Sequence, residues 1–302
     1  MNTGEFAFIR WLRERTPGGP QVIVGPGDDT AVLAPPSRPL LVTTDMLMDG
    51  TDFILNEVGG RAAGRKAMNA NLSDIAAMAG VPTAAVVSVA LPKHGGRELA
   101  EQLHLGLREA ADAFDVPIVG GDTNAWDHPL AISVTMLGEA TERGPVLRSG
   151  AKPGDWLLVT GPLGGSIRGK HLTFTPRVHE ALAIHEAAPI HAMIDISDGL
   201  AADLQHICEE SGCGANLDAA AIPISTDAAE LSRTSGRTPL QHALGDGEDF
   251  ELIVAVAPAD SRKLQAKFPN LVKIGECVEA GLMLNGKPLT PTGWVHALET
   301  RA

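Results

Sequence analysis

Apolar residues recur along the chain in two rhythms, and the alternation between them sketches the fold. Phe6, Ile9 and Leu12 fall at helical spacing, with Asn2 and Glu5 spaced as a capping box, which predicts an opening helix. Short β-type runs punctuated by glycine follow at 22–24, 31–33 and 40–44. An Ala- and Met-rich stretch over 61–79 predicts a long helix, and 84–91 reads as a buried strand. Leu99, Leu103 and Leu107 give 97–114 an amphipathic helical stripe. Strands are predicted near 117–119 and 130–137. Turn signals gather over 141–155, in ERGP and SGAKPGD. Beyond them strands are predicted at 156–160, 250–257 and 272–277, and helices at 177–187 and 200–210. The pattern predicts an α/β (α+β) protein of two domains, 1–145 and 146–302.

Composition adds limits. The 302 residues are 44% hydrophobic and 20% charged, enough apolar material for two cores. No run of about 18 apolar residues predicts a membrane span, and the first 15 residues lack a signal-peptide pattern, so a cytoplasmic protein is expected. The net charge of −13 argues against nucleic acid as a partner. Cys208, Cys213 and Cys277 are odd in number and lack CxxC spacing, which argues against a disulfide framework or a zinc site.

The acids change the picture most. They cluster beside glycines or after apolar runs: Gly27-Asp28-Asp29, Thr43-Thr44-Asp45, Ser73-Asp74, Gly120-Gly121-Asp122-Thr123, Asp195-Ile196-Ser197-Asp198-Gly199 and Gly247-Glu248-Asp249. Singly, each reads equally well as a turn or a helix N-cap, and both Ser-Asp pairs read as preceding helices. Together, acids following LLVTT, PIVGG and AMI suggest strand ends, where ligands collect in α/β sheets. Carboxylates without His or Cys partners suit Mg²⁺ or Ca²⁺, and no local Ca²⁺ loop is present. Ligands spread over so much of the chain fit a Mg²⁺–nucleotide cleft. A P-loop, protein-kinase motifs, HExxH and GxSxG are all absent. GPLGGS at 161–166 reads either as a phosphate loop without its lysine or as a plain turn. On residues alone the chain is a Mg²⁺–phosphate enzyme, with an acyl-phosphate-forming synthetase and a non-catalytic nucleotide- or metal-binding protein left open.

Eight motifs in order resemble the thiamine-monophosphate kinase family of the aminoimidazole-ribonucleotide synthetase-like ATP-binding superfamily. They are GEF at 4–6, GPGDD at 25–29, TTDMLMDG at 43–50, NLSDIAAMAG at 71–80, GGDT at 120–123, RSGAKPGD at 148–155, DISDGLAADL at 195–204 and GEDFEL at 247–252. The resemblance implies transfer of the γ-phosphoryl group of ATP to thiamine monophosphate in a homodimer holding several Mg²⁺ ions. It implies an N-terminal mixed sheet whose helices pack as a dimer, and a C-terminal α/β sandwich. It implies Asp29, Thr43, Thr44, Asp45, Asp74, Asp122, Asp195 and Asp198 as metal ligands, with Asp74, Asp122 and Asp195 catalytic through the bound ions. Gly121, Asp122, Arg148 and Ser197 would contact ATP, and Asp52, Glu248 and Trp294 the thiamine ester. The chain departs from the family twice. Asp52 stands where a G-x-H-F motif has histidine, and a helical stretch between the GGS loop and Arg177 is shortened. Selenophosphate synthetase fits less well, because no cysteine precedes Cys208.

Overall fold

The computed structural model describes residues 11–15, 18–26 and 29–294. Residues 11–15 are helical. The capping pair Asn2 and Glu5, the stripe residues Phe6 and Ile9, the motif at 4–6, and Gly27 and Asp28 lie outside the described residues. The chain forms two compact units. One takes the chain up to Ile75 with Gly80–Gly144; the other takes Ala76–Ala79 with the chain from Pro145 onward.

In the first unit β1 (Val22–Val24) and β2 (Val32–Leu33) form a small antiparallel pair. The main sheet holds β3 (Leu40–Met48), β4 (Val81–Pro92), β5 (Ile118–Trp126) and β6 (Ala131–Glu139) in the order β3-β6-β4-β5. It is mixed: β4 and β5 run parallel, and the other pairs antiparallel. Besides the helical residues 11–15, the described residues of this unit form α1 (Leu55–Ala77) and α2 (Gly96–Asp112). Gly59, at φ 77° and ψ 161°, is not helical and kinks α1, so the long helix begins just after it, where the sequence pattern predicts, and a single turn precedes it, with Asp49 Oδ1 accepting the N–H of Leu55 at 2.9 Å. Ser73 and Asp74 sit near the C-terminal end of a helix rather than before one, which corrects the N-cap reading of that pair.

Glycines set how closely α1 and α2 approach. A Cβ on Gly64 would lie 2.3 Å from the Leu103 carbonyl oxygen, and one on Gly106 would lie 1.9 Å from that of Arg61. Both helices must retreat to admit a methyl group. Gly106→Ala is expected to cost about 2–3 kcal/mol, the upper part of the range for overpacking, despite alanine's better helix propensity. Urea unfolding checks this; a gain in stability would mean the backbones are not in contact.

Strand β3 alternates. Leu41, Thr43, Asp45 and Leu47 share one face, with Leu41 and Leu47 buried. Leu40, Val42, Thr44, Met46 and Met48 share the other, where Val42 is 61% and Met46 63% exposed.

The second unit holds a seven-stranded sheet. Its strands are β7 (Trp156–Val159), β8 (Ala192–Asp195), β9 (Gly214–Leu217), β10 (Leu252–Val256), β11 (Val272–Val278), β12 (Leu282–Leu284) and β13 (Lys287–Pro288). The order is β13-β12-β9-β11-β7-β10-β8, antiparallel except between β9 and β12. Helices are α3 (Lys170–Thr173), α4 (Val178–Ala187), α5 (Leu200–Ser211), α6 (Thr226–Ser235), α7 (Pro239–Gly245) and α8 (Pro258–Lys267). Every residue of β10, the strand between β7 and β8, is buried. Leu200, Leu204 and Ile207 of α5 join Leu157, Val159, Ile194, Ile253 and Ile274 in one core. Cys208 and Cys277 lie in that core with Cys213 packed against it, all three as free thiols.

Candidate active site

Strand β3 and helix α1 bring three of the expected metal ligands together. The Thr43 hydroxyl donates to Asp74 Oδ2. Asp45 lies two residues along on the same face of β3. Burial pushes its carboxyl up to about 7, with the negative charges of Asp74 and then Asp52 adding to the effect. Asp45 Oδ2 is buried without a hydrogen-bond partner among the described residues. An orphaned carboxylate oxygen beside a second carboxylate and a hydroxyl is an all-oxygen donor set. It fits a hard divalent cation of the Mg²⁺ type, whose charge would reverse the cost of crowding these acids.

The ladder separates other expected ligands from this set. Thr44 points to the opposite face, where its hydroxyl is 3.1 Å from that of Thr135. Asp122 pairs with Ser88, and Ser88 with Ser133 and so Met46, so it too belongs to the face opposite Asp45. Gly121 lies on the Asp45 side, and a Cβ there would meet the Val87 carbonyl oxygen at 2.0 Å. Asp29 is exposed in the connection from β1 to β2. The expectation that Asp45 and Asp122 end their strands is corrected: both lie inside strands that run on past them. The glycines and acids that looked like breakers are carried within the sheet, where edge strands tolerate them. Asp52 is half-buried and closes a tight turn, its Oδ2 accepting the Met48 N–H at 2.6 Å. Below it, the buried Lys66 donates to the Asp52 carbonyl oxygen.

In the second unit the segment after β8 is the hub. Asp195, the last residue of β8, is buried. Ser197 and Asp198 follow, half-buried, immediately before α5, as the sequence pattern predicts for this Ser-Asp pair. Two distant segments attach to their carbonyl groups. Ser197 O accepts the Glu248 N–H at 2.7 Å, and Asp198 O accepts the Trp294 N–H at 2.9 Å. Asp195, Ser197, Asp198, Glu248 and Trp294 are thus gathered around one loop, with the Trp294 residue 54% exposed. Arg148 stands off it: Leu147 O accepts the Met193 N–H, while Arg148 O accepts the Ser211 hydroxyl at the far end of α5.

Sequence reasoning passed over the acid beneath this loop. Asp203, in the first turn of α5, accepts the N–H groups of Asp198 and Gly199, both at 3.0 Å, through one oxygen. Burial pushes its carboxyl up to about 8, with Asp195 adding to the rise and the two backbone bonds opposing it. The spacing of Asp203 four residues after Gly199 was the available signal, hidden within an apolar helical run.

The segment 247–251 braces the hub from behind. Glu248 and Phe250 both adopt positive φ, 53° and 50°. Asp249 Oδ2 accepts the Gly164 N–H at 2.7 Å, and Asp246 Oδ2 accepts that of Gly165 at 2.8 Å. The GPLGGS loop therefore spends these donors on carboxylates of its own chain, which favours the plain-turn reading. Burial pushes the Asp249 carboxyl up to about 7, against the pull of Lys170. Glu251 receives Arg177 through two bonds, at 2.9 and 2.8 Å, together with Lys170 at 2.9 Å and Thr160 at 2.6 Å. Burial alone would raise this carboxyl, but Arg177 and Lys170 outweigh it and hold it below the usual range. Phe174 stacks on Phe250 at 3.9 Å between ring centroids. The shortened 166–177 segment is thus pinned by Lys170, Phe174 and Arg177 onto 249–251.

Known proteins match this arrangement along the chain. The N-terminal domain of AIR synthase related proteins matches residues 27–140, and the C-terminal domain of those proteins matches 152–283. The thiamine-monophosphate kinase of Rhodopirellula baltica is 45% identical over 270 residues, covering 87% of this chain and 85% of that protein. The crystal structure of the thiamine-monophosphate kinase from Stenotrophomonas maltophilia K279a superposes with a TM-score of 0.81 at 31% identity, covering 95% of this chain and 98% of that one. A structure described as AaThiL complexed with AMPPCP and TMP gives 0.79 at 30% identity, covering 97% of both chains.

Proposed function

The chain belongs to the thiamine-monophosphate kinase family, built from the two AIR synthase related domains, and we propose that it transfers the γ-phosphoryl group of ATP to thiamine monophosphate, giving thiamine diphosphate. The observation that carries the reading to these residues is the Thr43–Asp45–Asp74 oxygen set with its orphaned buried carboxylate oxygen. Thr43, Asp45 and Asp74 hold Mg²⁺ on one face of β3, and Asp195 and Asp198 hold it at the loop before α5. Asp29, Thr44 and Asp122 are further ligands in this proposal; with Thr44 and Asp122 on the other sheet face, several ions rather than one are required. Bound Mg²⁺ supplies positive charge between anions that otherwise repel by about 4 kcal/mol per pair of unit charges at 4 Å and an effective dielectric of about 20.

The remaining chemistry belongs to the chain. Gly121 and Ser197 bind ATP with Asp122, and Arg148 neutralises phosphate charge. Asp52 and Glu248 offer carboxylates to the cationic thiazolium ring, and Trp294 offers an aromatic face. The acceptor phosphate has a second pKa near 6 and is mostly dianionic at neutral pH, so no general base has to take a proton from it. The exposed apolar strip of Leu40, Val42, Met46 and Met48 supports a homodimer formed through the outer face of the four-stranded sheet. No helix among the described residues is long and apolar enough to cross a membrane, in keeping with a proposed cytoplasmic location.

Incubation with Mg·ATP and thiamine monophosphate, followed by chromatography, is expected to yield thiamine diphosphate and ADP in equal amounts. ATP consumption without thiamine diphosphate would overturn the acceptor assignment.

A further inference from the structure

We propose that Asp203 is a positioning residue for the loop that carries Ser197 and Asp198, and that cation-dependent nucleotide binding depends on the acceptor oxygen its side chain holds there. The inference rests on the function proposed above. Successive backbone groups of the loop are partitioned by direction. The carbonyl oxygens of Ile196, Ser197 and Asp198 go to the N–H groups of Phe250, Glu248 and Trp294, on flanking segments. The N–H groups of Asp198 and Gly199 turn the other way, and one oxygen of Asp203 accepts both. The loop has no slack in which to make another turn. A Cβ on Gly247 would lie 2.9 Å from the carbonyl oxygens of Ser197 and Asp198, and one on Gly293 would lie 2.7 Å from that of Asp198. Gly199 holds φ 130°, a value side chains rarely adopt.

A helix cap could have been made by a surface serine or threonine. Here the acceptor is a carboxylate 2% exposed, on a helix whose Leu200, Ala201 and Leu204 are also buried. Burying an acid costs free energy that an ordinary cap avoids. The return is geometric: two consecutive N–H groups are fixed by one oxygen, and with them the direction in which Asp198 leaves the backbone. Without that oxygen, Asp198 and Ser197 keep their identity and lose their placement.

The test uses the full chain and titrates binding of a non-hydrolysable ATP analogue by calorimetry at stepped Mg²⁺ concentrations, with unfolding midpoints measured alongside. Asp203→Ala is expected to raise the Mg²⁺ needed for half-maximal analogue binding by at least about tenfold. Asp203→Ser, which keeps a short polar group and so guards against loss of the fold, is expected to show the same rise. Asp203→Asn, which keeps an acceptor oxygen in place, is expected to stay within about threefold of the unaltered protein. If Asp203→Ala or Asp203→Ser loses thermal stability while the folded protein binds with unaltered Mg²⁺ dependence, the residue is only structural and the proposal is overturned. A tenfold rise for Asp203→Asn also overturns it, because charge rather than placement would then be responsible. Absence of Mg²⁺-dependent analogue binding in the unaltered protein would instead remove the proposed function, and this inference with it.

Discussion

Asp74→Asn is expected to lower turnover at least about a hundredfold, equivalent to roughly 3 kcal/mol of barrier, while the protein stays folded. The substitution keeps the size of the side chain and an oxygen able to accept from the Thr43 hydroxyl. What it removes is one negative charge beside Asp45. By the same token, the Asp45 carboxyl should ionise more readily, since Asp74 is one of the charges that push it up. The apo protein should therefore be no less stable than the unaltered one, and the loss should fall on catalysis. Steady-state rates with Mg·ATP and thiamine monophosphate, together with a thermal melt, separate the two effects. Turnover within a few-fold of normal would refute Asp74 as a cation ligand.

The second large effect is expected on stability. Arg177→Met should cost about 3–5 kcal/mol, because it strands Glu251, which is 1% exposed, without its bidentate partner. Lys170 and Thr160 remain on Glu251 and keep the loss from being larger. The double variant Arg177→Met with Glu251→Gln should recover part of the loss, since it removes the buried charge that lost its guanidinium, while Lys170 keeps Asp249 at 3.9 Å. Chemical denaturation of the three proteins tests this. An equal or greater loss in the double variant would show that the pair contributes through shape rather than charge.

The fold was legible where a segment's periodicity was uninterrupted. Helix α2 is recovered within two residues, because Leu103 and Leu107 keep strict spacing on its buried face. Strand β10 was readable as a short apolar run, but α6, α7 and α8 were not foreseen. These helices are short, and their start signals are local: the Ser225 cap of α6, and the Thr238–Gln241 capping box with Pro239 that opens α7. The site was legible as a set of residue types and not as a geometry. Motif order suggested Asp45 and Asp122 together, yet only a strand register can say which face each one takes, and a register depends on partners far away in sequence. Asp203, Lys66 and Glu251 escaped notice because each sits within an apolar or alanine-rich run, where a charged residue reads as a surface position until burial is known.

The close crossing of α1 and α2 has a consequence for the accuracy of the cation set. Gly64 and Asp74 belong to one helix, ten residues and about 15 Å apart. Backbone contact at Gly64 leaves the helix little freedom to slide, so the crossing acts as a stop on a ruler whose far mark is Asp74. A slip of one residue would advance that mark by about 1.5 Å and swing it by about 100°, off the Thr43 hydroxyl. Tolerance at the phosphate end is thus set by two hydrogen-sized side chains at the other end of the helix.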